Sequence, residues 1–219
     1  MITEWQYESS TPGGHSWVVV ERRGQSTRSY VVHILCGENS SLIISALLRG
    51  TNTFYGLSCF SRAIPVARFL TEEASSAVVF EYLQPVLDRR IQVEYILNWG
   101  DMVLCEFRDL ADGGLVLRNY LGLDEFGFDR EGQLRLKCYY GFIRIPRTSP
   151  NHAQAEVQTC EGVVRIMWYL LTYFCVDEER EMARMVKRYL EENTFRYREL
   201  IGGVRDMQHA VSYLMERNQ

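Results

Sequence analysis

Four histidines (His15, His33, His152 and His209) and six cysteines (Cys36, Cys59, Cys105, Cys138, Cys160 and Cys175) are the residues of this 219-residue chain most suited to chemistry. Nucleophilic catalysis needs a serine or cysteine beside a base that a third group orients, and structural zinc needs its ligands in close pairs. Neither is written locally: there is no CxxC pair, no HExxH, no GxSxG and no GxxxxGK[ST] loop. His33 and Cys36 are close in sequence, but His33 falls in an expected strand, where a three-residue offset sends the two to opposite faces. Acids pair at Glu72-Glu73, Asp124-Glu125, Asp177-Glu178-Glu179 and Glu191-Glu192. General acid–base work needs two carboxyls converging from separate elements, so these neighbours read as helix-start and surface charges. The expectation is a protein that is not an enzyme and takes no metal and no cofactor.

The basic residues are skewed. Only Lys137 and Lys187 among the 24 are lysine, and the formal net charge is −4. Coating a nucleic acid needs a concentrated positive field, which argues against that role for the chain as a whole. Arg22, Arg23 and Arg28 make a small basic hairpin tip. Arg180, Arg184 and Arg188 recur every four residues along one expected helix, where guanidinium groups could track a phosphate backbone, with Tyr189, Phe195 and Tyr197 interleaved. The same region carries Glu178, Glu179, Glu181, Glu191 and Glu192, and an acid-neutralised surface is the plainer reading.

At 47% hydrophobic and 24% charged residues the chain is an ordinary globular one. Its cysteines sit among apolar neighbours, the habitat of buried free thiols, which favours a reducing interior. The first residues, Met1 to Glu8, carry acids and no apolar run, unlike a secretory signal or a presequence. The longest apolar stretch, Val163 to Val176, is interrupted by Arg165 and Thr172 and is too short to span a bilayer.

The elements that must position these residues follow from pattern. Residues 1–16 end in Thr11-Pro12-Gly13-Gly14 and read as a flexible arm. Residues 17–21 and 29–35 form a β-hairpin with a loop longer than the tightest kind. Asn39-Ser40-Ser41 supplies the cap, and Gly50 the stop, of a short helix through Leu42, Ile43, Ala46 and Leu47. Residues 51–90 read as helical and loop-rich, with a helix start at Thr71-Glu72-Glu73-Ala74. Alternation at Ile91, Val93, Tyr95 and Leu97, a turn at Asn98-Trp99-Gly100-Asp101 and an extended run from Met102 to Phe107 open an antiparallel sheet. Leu115-Val116-Leu117 and the run Leu134, Leu136, Cys138, Tyr140 continue it. After a linker bracketed by Pro146 and Pro150, a core helix runs from about Val157 to Val176. A second helix has an apolar face of Met182, Met185, Val186 and Tyr189, and pairs Lys187 with Glu191 and Arg188 with Glu192. Gly202-Gly203 ends it, and a last helix from Val204 buries Met207, Val211, Leu214 and Met215. The fold class is α+β: an N-terminal hairpin and helices, a central antiparallel sheet, and a C-terminal helical part. Region 17–150 holds the α+β part, and 151–219 packs its helices on the same core.

One segment carries a resemblance. Residues 64–85 open on Ile64-Pro65-Val66-Ala67-Arg68-Phe69-Leu70 and close on Tyr82-Leu83-Gln84-Pro85. Proline at a first helical position has its missing N–H where none is needed, and the residue before it is held extended. The pattern resembles the minimal F-box-like motif of polerovirus RNA-silencing suppressors, the P-zero proteins, with isoleucine where that family has leucine. Arg198-Glu199-Leu200-Ile201-Gly202 is similar to the family's carboxyl region. The resemblance implies a viral adaptor in the host cytoplasm, with peripheral membrane attachment left open. Ile64, Pro65, Phe69, Leu70 and Pro85 would contact the Skp-type adaptor of a cullin ubiquitin ligase, and another surface would engage host Argonaute. Two other readings stand beside it: an RNA-binding suppressor that uses Arg180, Arg184 and Arg188, and a viral structural or matrix-like protein that self-associates through exposed apolar surface.

Overall fold

The computed structural model describes residues 2–11, 14–23, 25–35, 63–64, 76–86, 89–117, 121–136, 142–191 and 196–217. The short helix expected at 39–50, the helix start at 71–74 and the continuation of a strand through Cys138 and Tyr140 lie outside these residues, as do Cys36 and Cys59. The fold is α+β, and the chain divides into two compact units, Met1–Gln84 with Phe128–Tyr140 and Pro85–Gly127 with Gly141–Gln219.

The first unit is built on a five-stranded antiparallel sheet in the order β1-β2-β3-β5-β4. Its strands are β1 (Ile2–Thr11), β2 (Gly14–Arg23), β3 (Ser26–Leu35), β4 (Ala63–Ile64) and β5 (Ser76–Glu81). β-Branched and aromatic residues make up nearly half of them, a composition that fits a pleated surface. Residues 2–11, expected as an arm, are a strand paired along its length, with one irregularity between Tyr7 and Ser9. The next hairpin is tighter than expected: Arg23 pairs with Ser26, which leaves only positions 24 and 25 for the turn. Residues 76–81 are a strand where helix was expected, because Ala77-Val78-Val79-Phe80 finds β3 to pair with, and pairing decides such short apolar runs.

A buried ion pair closes the turn that separates β7 (Phe126–Phe128) from β8 (Leu134–Leu136). Between them Asp129 accepts from the Glu131 and Gln133 N–H groups at 2.9 and 2.7 Å and from Arg135 Nε at 2.8 Å. Both oxygens of this buried carboxylate thus accept hydrogen bonds and it is paired with a cation, the condition under which a buried charge is tolerated. Gly132, at φ +80°, takes the left-handed conformation that the turn requires.

The second unit is helical, with α1 (Val93–Asp112), α2 (Pro150–Tyr173), α3 (Arg180–Glu191) and α4 (Tyr197–Arg217). A small antiparallel ladder joins β6 (Leu115–Leu117) to β9 (Phe142–Arg144). The extended run expected over 91–107 is instead α1. Four alternating residues suggested a strand, but the longer repeat is helical: Val93, Ile96, Leu97, Gly100, Val103, Leu104, Phe107, Leu110 and Ala111 are buried at three- and four-residue steps. α2 begins at Pro150 rather than near 157, because proline suits the first helical turn. α3 buries Ala183, Val186 and Leu190, so its inward face is turned slightly from the expected one.

Two glycine sites control the approach of helices. Gly100 faces α2, where a Cβ would lie 2.6 Å from Sδ of the fully buried Met167. Gly202-Gly203, expected to end a helix, lies inside α4; a Cβ at Gly203 would overlap the Tyr189 hydroxyl of α3, whereas Gly202 has nothing within 4 Å. The two positions predict opposite signs. Gly202→Ala gains roughly 1 kcal/mol from helix propensity. Gly100→Ala suffers overpacking that exceeds the same gain, for a net loss of roughly 1–2 kcal/mol. Urea unfolding midpoints of the two variants check both.

Candidate functional site

Two short stretches, 90–93 and 173–179, meet at the C-terminus of α2 and organise a concavity lined by basic side chains. Ile91 and Cys175 form a parallel bridge, in which the Ile91 N–H donates to Phe174 O at 2.7 Å and the Val176 N–H donates to Ile91 O at 3.1 Å. One residue before the bridge, exposed Arg90 donates from Nη1 to the carbonyl oxygens of Tyr173 and Cys175, each at 3.4 Å. The Tyr173 carbonyl is at the negative end of α2, where a cation is favoured, and Cys175 follows two residues beyond it. Beyond the bridge, the Val93 N–H that starts α1 donates to Glu179 Oε2 at 2.6 Å. Gln92, at the N-cap, makes no side-chain cap bond, so the buried Glu179 carboxylate satisfies this helix start from 86 residues away.

Glu179 closes a short 3-10 turn, Asp177–Glu179, that leads straight into α3. The capping bond therefore fixes where α3 begins, and α3 packs along α2. Between them is a hollow of about 310 Å³ lined by Arg90, Arg180, Arg184 and Lys187. Leu171, Thr172, Cys175 and Ala183 line it as well, and no carboxylate does so among the described residues.

The four cations differ in their engagement. Arg180 donates from Nη2 to Asp177 Oδ1 at 2.6 Å in an exposed pair. Lys187 Nζ stands 4.3 Å from the Trp168 ring centroid, a cation–π contact, while Trp168 Nε1 donates to Glu191 Oε1 at 2.6 Å. The expected Lys187–Glu191 pair is thus replaced by contacts of both residues with Trp168. Arg184 has no hydrogen-bond or ion-pair partner among the described residues. Arg188, expected to continue the stripe, does not line the hollow. At about 100° per helical residue it lies about 80° from Arg180, whereas position 187 returns to within about 20°. Lys187 was therefore detectable from the helical repeat. Glu179 was not, because nothing in Asp177-Glu178-Glu179 marks which acid turns inward.

Burial governs the thiols. Removal from water, reinforced by Glu179 and Asp177, pushes Cys175 up to about 11, and burial pushes Cys160 up to about 12. At neutral pH Cys175 is a protonated wall of the hollow that adds no negative charge to it. Burial likewise drives the Tyr197 phenol upward. Cys105, Cys160 and Cys175 are free thiols, and Cys138 lies outside the described residues. His152 is buried, with Nε2 2.9 Å from Ala111 O and Nδ1 3.5 Å from Glu156 Oε1. Among the described residues no group of three or more His, Cys, Asp or Glu side chains is placed to hold a metal, and no helix is long and apolar enough to cross a membrane.

The F-box-like segment is described in part. Pro65, Phe69 and Leu70 lie outside the described residues. Ile64 ends β4, the outermost strand, and the pairing register lines it up across all five strands with Val79, Val32, Trp17 and Tyr7. Pro85 is exposed. Arg180, Arg184 and Arg188 are all exposed on α3, and the first two line the hollow with Arg90 and Lys187. Compared with protein-family models and with curated proteins, the chain finds no match.

The raised thiols and phenol fix a pH dependence. The unfolded chain loses these protons from about pH 9.0 upward while the native state still holds them. Stability is then fully present below pH 9.0 and falls as pH rises toward about 11. Urea midpoints measured across this window should decline, and Cys175→Ala should make the decline shallower.

Proposed function

We propose that this protein is an adaptor that suppresses RNA silencing in a host cell. It joins the Skp-type subunit of a cullin ubiquitin ligase to Argonaute and so directs Argonaute to degradation. Holding two partners on one chain raises their effective concentration for each other, which requires no catalytic group in the adaptor. Support comes from the F-box-like pattern of residues 64–85, and the observation that carries the reading is the position of Ile64. It is the last residue of an outermost strand whose one partner among the described strands is β5. The next residue is a proline, which has no N–H to donate to a ladder. A partner that approaches an edge strand leaves the inner strands undisturbed.

The adaptor reading makes Pro65 decisive. The purified chain should co-precipitate the Skp-type subunit, and Pro65→Ala should lose most of that capture. In cells the parent chain should lower Argonaute abundance and the variant should not. Capture and Argonaute loss that are both unchanged in Pro65→Ala would overturn the reading.

A further inference from the structure

We propose that the hollow between α2 and α3 is a binding site for the phosphate backbone of single-stranded RNA. This is independent of the adaptor reading, since it involves none of residues 64–85. Four cations line one concavity of about 310 Å³, and no carboxylate lines it among the described residues. Asp177 offsets Arg180, which leaves Arg90, Arg184 and Lys187 to attract an anion. Arg184 is exposed and has no partner among the described residues, so its planar fork is available for bidentate contact with phosphate oxygens. Arg90 is anchored by its carbonyl contacts, and Lys187 is held by the Trp168 ring. Both cations are therefore largely positioned before a ligand arrives, and less side-chain freedom is lost on binding.

The neighbouring aromatic residues favour single-stranded RNA over other polyanions. Tyr169 and Tyr173 are 40% and 56% exposed, and their ring centroids are 4.5 Å apart. Each follows by one residue a position that flanks the hollow: Trp168, beneath Lys187, and Thr172 in the wall. The tyrosines lie on the next face of α2, about 100° round the helix from those two positions and about 160° from Leu171, and the Tyr173 carbonyl accepts from Arg90 of the wall at 3.4 Å. A cationic hollow together with exposed aromatic rings on the same helix is the combination that holds single strands, whose bases are open to stacking; a duplex hides them. The net charge of −4 confines the attraction to this locality.

Fluorescence anisotropy of a labelled oligouridylate with the purified full-length chain tests the proposal. Three phosphate contacts, at about 0.7 each for single strands, predict a slope of roughly −2 in log affinity against log salt between about 50 and 200 mM. Arg184→Gln and Lys187→Gln should each weaken binding several-fold and make the slope shallower by about 0.7. Tyr173→Ala should weaken it roughly tenfold with the slope unchanged. Arg198→Gln, on the exposed side of α4, should leave both affinity and slope as they are. Absence of binding at the lowest salt overturns the proposal, as does an Arg184→Gln variant that binds like the parent. A duplex of equal length that binds as tightly as the oligouridylate also overturns it.

Discussion

The hydrogen bond from the Val93 N–H to the buried Glu179 carboxylate is the constraint on which the helical unit depends. It is one interaction with three consequences. It satisfies a helix start whose own N-cap residue makes no side-chain bond. It compensates a carboxylate that would otherwise be costly to remove from water. It also ties the segment before α3 to the segment before α1, so that the Ile91–Cys175 bridge, the Arg90 contacts with the end of α2 and the first turn of α3 occupy one small region. The hollow exists because these three chain segments are held together there.

Packing within the unit relies on close approach as much as on large side chains. Gly100 lets Met167 of α2 settle against α1, and Gly203 gives room to Tyr189 of α3. Polar contacts then hold α4 on α1 in register. Arg205 Nε donates to Asp101 Oδ1 at 2.8 Å and Gln208 Nε2 donates to Asn98 Oδ1 at 3.0 Å. These bonds are exposed and add little to stability individually, but their geometry is specific, and they sit beside a core that includes Phe107, Leu104 and Leu200.

Charge placement explains how a net acidic chain carries a cationic concavity. Of the acids around α3, Glu179 is turned into the core, Asp177 is bound to Arg180, and Glu191 accepts from Trp168. The wall is left to basic, apolar and hydroxyl groups and to a thiol that burial keeps protonated. Total charge is a poor guide to such a site, because the field inside a hollow depends on the nearest few groups.

Much was legible in the sequence where local chemistry governs. The α+β class, the β2–β3 hairpin and the strands at Leu115-Val116-Leu117 and Leu134-Arg135-Leu136 follow from β-branched or apolar runs and from flanking residues whose requirements are local. The apolar character of α2 likewise places it in the core without reference to any neighbour. Arg180 and Arg184 were visible as a pair by spacing alone. Tertiary structure decided the rest. Alternation at Ile91, Val93, Tyr95 and Leu97 was outweighed by a helical repeat that gains its energy only once α2 and α4 cover it. Residues 2–11 became a strand because β2 offered a ladder, and Gly202-Gly203 stayed helical because Tyr189 needed the space. The inward turn of Glu179 and the arrival of Arg90 at the hollow join residues more than 80 positions apart. Such contacts form only when the whole unit is packed, so no local pattern of residues can specify them.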